Sequence, residues 1–89
     1  MTFLISNGKA LNLDRASTIS VSVYEDRLTV TATFQLHDRS VMESMSCRID
    51  GVKDAEADEL KKQVLTEILS TDVAVLEDVV KKAKSQSKL

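Results

Sequence analysis

Few residues in this chain could do chemistry. His37 is the only histidine, and Asp38 follows it. An imidazole beside a carboxylate is half of an acid–base device. The other half needs an activated nucleophile, and no serine sits on a strained strand-to-helix turn. The pair reads as part of an ordinary turn. Cys47 is the only cysteine. A reactive thiol needs an exposed, electropositive setting, whereas Cys47 falls on the core side of a strand pattern and reads as a packed thiol. The stretch DGVKDAEADE (50–59) is rich in carboxylates. A calcium loop needs alternating oxygen ligands, a central glycine and a distal glutamate, and that spacing is missing. Asp50 and Gly51 suit a turn, and the later acids suit a helix start. SNGK (6–9) lacks the spacing of a phosphate-binding loop. KKAKSQSK (81–88) reads as a basic helix end. No catalytic, cofactor-binding or metal-binding residue is assigned, and the expectation is that the chain is not an enzyme.

Composition narrows the classes further. The chain has 89 residues, 43% hydrophobic and 29% charged, which fits one small folded domain. Its formal net charge is -2, and its aromatics are Phe3, Tyr24 and Phe34 alone. Nucleic-acid partners need a clustered positive field or stacking platforms, so both features argue against them. A single cysteine cannot form an internal disulfide, which fits a reducing compartment. No apolar run approaches a membrane span, and MTFLIS lacks the basic flank of a signal peptide. A cytoplasmic location and no membrane partner are therefore expected. There is no proline, as suits a chain that is nearly all strand and helix.

The elements follow from periodicity. In FLISNGKALNL (3–13), Asn7-Gly8 lies between two apolar runs and predicts a two-residue hairpin turn. That register pairs Ser6 with Lys9, Ile5 with Ala10 and Leu4 with Leu11. Leu4, Leu11 and Leu13 then share one face; Phe3, Ile5 and Ala10 share the other. Both faces are apolar, so something should cover each. DRAS (14–17) reads as a bend. Strands are expected at 18–24, 27–36 and 41–49, joined by a tight turn at Glu25-Asp26 and a four-residue turn at HDRS (37–40). Ile19, Val21, Val23, Leu28, Val30, Ala32 and Phe34 form one face of this meander, joined by Val41, Met45, Cys47 and Ile49. Glu43 interrupts that side, as suits a position near a sheet margin. The opposite face carries serine and threonine with almost no charge, plus Tyr24, Gln35, Met42 and Arg48. Thr–Thr and Thr–Ser pairs stabilise strands, so the first reading is a solvated face.

From Asp54 the period becomes helical, with Leu60, Val64, Leu65, Ile68 and Leu69 on one side. Ser70-Thr71-Asp72 interrupts it, and either residue of the first two suits the cap of a second helix. A single helix over 55–84 would span about 45 Å, more than the roughly 25–30 Å width of a compact domain this size. The segment is therefore one long helix leaving the subunit or two consecutive helices. Residues 73–83 continue the apolar pattern, and together the two halves cover an arc of about 220°, too wide for one sheet. The expected architecture is α+β: a mostly antiparallel sheet of about five strands, comprising a hairpin and a three-strand meander, then C-terminal helix. One domain covers 1–84, and 85–89 is expected to be a frayed tail.

The opening NGKALNLDRASTISV resembles those of small bacterial and phage proteins that place a few strands before a helix. The resemblance spans the first third of the chain and brings no site residues with it. The leading functional expectation is a non-catalytic protein-interaction or adaptor module that self-associates, because surplus apolar surface marks association sites. Val73, Leu76, Val79, Val80 and Ala83 are the candidate contact residues. The alternative is a nucleic-acid-binding or regulatory protein using a local patch drawn from Lys9, Arg27, Arg39, Arg48 and Lys53.

Overall fold

The computed structural model describes residues 2–49 and 52–87, so the expected turn at Asp50-Gly51 lies outside the described residues. The fold is α+β, with two three-stranded sheets rather than one five-stranded sheet. β1 (Phe3–Ser6) and β2 (Lys9–Asn12) form the hairpin in the expected register, Leu4 against Leu11 and Ile5 against Ala10. The turn holds Asn7 at φ 52° and Gly8 at φ 77°, the two left-handed positions that Asn-Gly supplies. A Cβ on Gly8 would meet nothing within 4 Å, so the cost of adding one is conformational alone. Gly8→Ala is expected to cost about 1–2 kcal/mol, lowering Tm by several degrees. Glu25 at φ 55° lacks glycine's freedom, and Glu25→Gly is expected to raise Tm slightly. Thermal unfolding followed by circular dichroism checks both signs.

β3 (Thr18–Tyr24), β4 (Arg27–Gln35) and β5 (Ser40–Arg48) form the antiparallel meander. A loop over 36–39 joins β4 to β5, closed by a hydrogen bond from the Leu36 N–H to the Arg39 carbonyl (2.7 Å). The expected core face is the observed one: Leu28, Val30 and Ala32 are fully buried, with Met45, Cys47 and Ile49 beside them. Glu43 lies on this face in an edge strand, where Lys9 reaches it at 3.1 Å.

α1 (Asp54–Leu69) lacks a side-chain cap of the usual kind at Lys53. Instead the Glu56 carboxylate accepts from the Lys53 backbone N–H at 3.2 Å, half of a capping box. Leu60, Val64 and Ile68 are buried at helical spacing, while Leu69 is exposed. Ser70 and Thr71 close this helix rather than capping the next. Their hydroxyls donate to the Glu67 carbonyl at 3.0 and 3.3 Å.

Of the two expected alternatives the structure has two helices, but it corrects the helix expected over 73–83 at its first three residues. Val73–Val75 is a strand, β6, pairing parallel to β1 with Phe3 opposite Val73, Leu4 opposite Ala74 and Ile5 opposite Val75. The Phe3 N–H donates to the Asp72 carbonyl at 2.9 Å and starts the ladder. Two β-branched residues flanking alanine favour extended backbone, and β1 offers them an open edge. Helix then resumes directly as α2 (Leu76–Ser87), continuing three residues into the stretch expected to fray. The break occurs although the molecule's long dimension is 45 Å. Strand pairing, rather than length, ends the first helix.

This strand also accounts for the wide apolar arc. Residues 54–69 and 76–87 lie on separate axes, and each buries a narrower stripe. Leu60, Val64 and Ile68 of α1 join Leu76, Val79, Val80 and Ala83 of α2 in one core with Leu4, Leu11, Leu13 and the meander. Among the described residues, Ser6 is the buried polar side chain, and its hydroxyl donates to the Glu77 carboxylate at 2.7 Å. That bond ties the end of β1 to the first turn of α2.

Candidate functional site

The expected contact surface requires correction. Leu76 and Ala83 are fully buried, Val79 and Val80 nearly so, all within this chain's own core. Of the five candidate residues only Val73 reaches the surface, with 58% of its area exposed. The wide apolar arc is covered by two sheets and by α1 against α2.

Val73 belongs to a different surface. Strand alternation sends Leu4, Leu11 and Ala74 into the core. The same alternation sends Phe3, Ile5, Ala10, Asn12, Val73 and Val75 to the outer face of the β2-β1-β6 sheet. The register sets them in two rows: Asn12, Phe3 and Val73, then Ala10, Ile5 and Val75. Phe3 and Ile5 are half-buried between their neighbours; Ala10, Val73 and Val75 are exposed. No other element of the described chain covers this face. Hydrophobic burial is worth about 25 cal/mol per Å², so covering the two valines alone would contribute roughly 1 kcal/mol each. The doubly apolar hairpin was visible in the sequence. The strand that widens it was not, because Val73 and Val75 also fit a helical stripe.

The hydroxyl face of the meander is open. Its rows read Thr18-Thr33-Met42, Ser20-Thr31-Ser44 and Ser22-Thr29-Ser46 across β3, β4 and β5. Met42 and Tyr24 are its large exposed apolar members, too far apart in register to form a patch. At one end Arg27 stands opposite Arg48. Arg27 donates to the Ser46 hydroxyl at 3.2 Å, and Arg48 lies 3.7 Å from Asp26. Of the five cations considered for a basic patch, these two come together. Lys9 is engaged with Glu43, Arg39 lies in the 36–39 loop, and Lys53 precedes α1.

His37 is exposed in that same loop. Cys47 is buried beneath a hollow of about 170 Å³ between β5 and α2, lined also by Arg48, Glu77, Val80, Lys81 and Lys84. Burial pushes the Cys47 thiol above its ordinary 9.0, the Glu77 charge adds to this, and Arg27 offsets part of it. A thiol held protonated is a poor nucleophile. Its native pKa exceeds its unfolded one, so the associated stability is complete below about pH 9 and is lost as pH rises through the native value. Native protein at pH 8 is expected to react with an aromatic disulfide reagent at least tenfold more slowly than urea-unfolded protein. Equal rates would place the thiol at the surface.

A second open hollow, between β3 and α1, is lined by Val21, Asp58, Lys61, Lys62 and Leu65. Among the described residues no three His, Cys, Asp or Glu side chains are grouped to hold a metal ion. No helix of the described chain is long and apolar enough to cross a membrane. No protein family, no curated protein and no solved structure matches the chain.

Proposed function

We propose that this chain is a small non-catalytic protein-interaction module that works as a homo-oligomer, with the outer face of the β2-β1-β6 sheet as its contact for another protein. The observation that carries the interaction reading is that five apolar side chains (Phe3, Ile5, Ala10, Val73, Val75) share one face that no other described element covers. Contiguous exposed apolar surface of this kind marks association sites. Asn12, in the same row as Phe3 and Val73, suits the rim of such a contact. The single cysteine, buried as a free thiol, fits a reducing, cytoplasmic setting. Light scattering across a concentration series tests the self-association. A mass near twice the 9.8 kDa of one chain is expected at about 0.5 mM, a concentration suited to small, weak contacts. A monomer mass there would overturn the homo-oligomer.

The second reading, nucleic-acid binding, is favoured only by the opposed pair Arg27 and Arg48. Like charges facing across strands are destabilising, and an anion between them would relieve that. If this reading holds, a labelled single strand binds at low salt and its affinity falls steeply as salt rises. The first reading expects no binding.

A further inference from the structure

β5 is one of the two edge strands of the meander, nine residues long and paired without a bulge from Ser40 to Arg48. The phase of its backbone can be fixed. The Ile49 N–H donates to the Asp26 carbonyl at 2.6 Å, and residues 49 and 26 continue the register of Cys47 opposite Leu28. Bonded pairs recur at every second residue of an antiparallel ladder. The odd-numbered residues of β5 therefore turn their backbone groups toward β4, and the even-numbered ones turn theirs outward. Among the described residues, nothing hydrogen-bonds to the outward N–H and C=O groups of Met42, Ser44 and Ser46.

Natural sheets blunt such edges with lysine, proline, bulges or an inward-pointing charge. β5 has no lysine and no bulge, and the chain has no proline. Its inward charge is Glu43, and Lys9 sits against that carboxylate at 3.1 Å. The edge is thus long and regular, and its guarding charge is compensated.

We infer that a second copy of this chain adds to β5, edge to edge and antiparallel, about a twofold axis at Ser44. The proposal rests on the self-association reading and names its contact. The register favours a second copy because it is self-complementary. With the axis at Ser44, Met42 faces Ser46 of the other copy, Ser40 faces Arg48, Glu43 faces Met45 and Val41 faces Cys47. No like charges oppose one another. Moving the axis to Glu43 would set two carboxylates face to face, which is destabilising. About six backbone hydrogen bonds form across the axis through the outward groups of Met42, Ser44 and Ser46, two for each of the three pairs these residues make. The product is a six-stranded sheet with one continuous hydroxyl face, and it leaves the β2-β1-β6 face free on both copies. A contact made along one strand about 30 Å long falls in the small, weak class of interfaces.

Cross-linking tests this directly. The axis makes residue 44 of the two copies a bonded pair, with Cα atoms about 5.5 Å apart, inside the range a disulfide spans. In a Cys47→Ala background, Ser44→Cys at about 0.5 mM is expected to form disulfide-linked dimer under mild oxidation. Ser40→Cys, whose two copies would lie about 27 Å apart along the strands, is expected to form at least tenfold less. Both serines are exposed, and matching circular dichroism spectra confirm that the variants fold. Equal cross-linking at both positions, or none at either, overturns the β5 contact. If light scattering shows a dimer and Ser44→Cys does not cross-link, the contact is wrong and self-association stands on another surface. A monomer mass with no cross-link overturns both.

Discussion

Leu76→Asp is expected to unfold the chain. Leu76 is fully buried at the start of α2, in the core that joins both helices to both sheets. Removing a buried leucine side chain alone costs about 2–5 kcal/mol. An unpaired carboxylate in the same space adds a desolvation penalty of several kcal/mol. A domain of this length holds about 4–13 kcal/mol in total, at 0.05–0.15 kcal/mol per residue. The variant is therefore expected to lose its cooperative urea transition at neutral pH. Some recovery is expected in acid, where the carboxyl is neutral. A folded protein with an unchanged urea midpoint would show that Leu76 lies at the surface, as the helical pattern alone suggested.

The double change Val73→Asp with Val75→Asp is expected to do the reverse: keep the fold and remove the contact. Both valines point away from the core, with 58% and 37% of their area exposed. Surface substitutions of this kind usually fall within about 0.5 kcal/mol each, and the lower β-propensity of aspartate adds a little. Together they total about 1–1.5 kcal/mol, so Tm is expected to fall by no more than about 10 °C while the cooperative transition is kept. Within an apolar interface the same charges are desolvated and unpaired, at about 2 kcal/mol or more each. A contact made through this face is then expected to weaken by at least a hundredfold. Thermal unfolding and a binding titration of the same preparations separate the two effects.

The contrast between these variants shows where the sequence was informative. Asn-Gly between the apolar runs of residues 3–13 fixes the hairpin register, and alternation in residues 18–34 fixes the meander, where a one-residue slip would turn every core side chain to water. The interruption at Ser70-Thr71-Asp72 was legible too, as was the buried stripe of Leu60, Val64 and Ile68. Val73–Val75 was not. Three residues are too few to distinguish a period of 2 from 3.6, and Val73 and Val75 fit the helical stripe continued by Leu76, Val79 and Val80. Their strand depends on the free edge of β1, about seventy residues earlier in the chain, which no local pattern encodes. The strand at Val73–Val75 places the candidate surface on the hairpin sheet and not on a helix flank. Four of its five residues lie in the core, while the apolar face of the first hairpin, evident from Phe3, Ile5 and Ala10, gains its remaining valines from that same segment.

The interaction reading is tested most directly by a paired capture. Wild-type protein and the Val73→Asp, Val75→Asp variant, shown to be equally folded, are immobilised at equal density and exposed to the same extract of the source cells. Bound proteins are then quantified. At least one protein is expected to be retained by the wild type and depleted tenfold or more on the variant. Its purified form should bind the wild type in a titration and fail to bind the variant. Equal recovery of every captured protein on both would contradict a role for the β2-β1-β6 face.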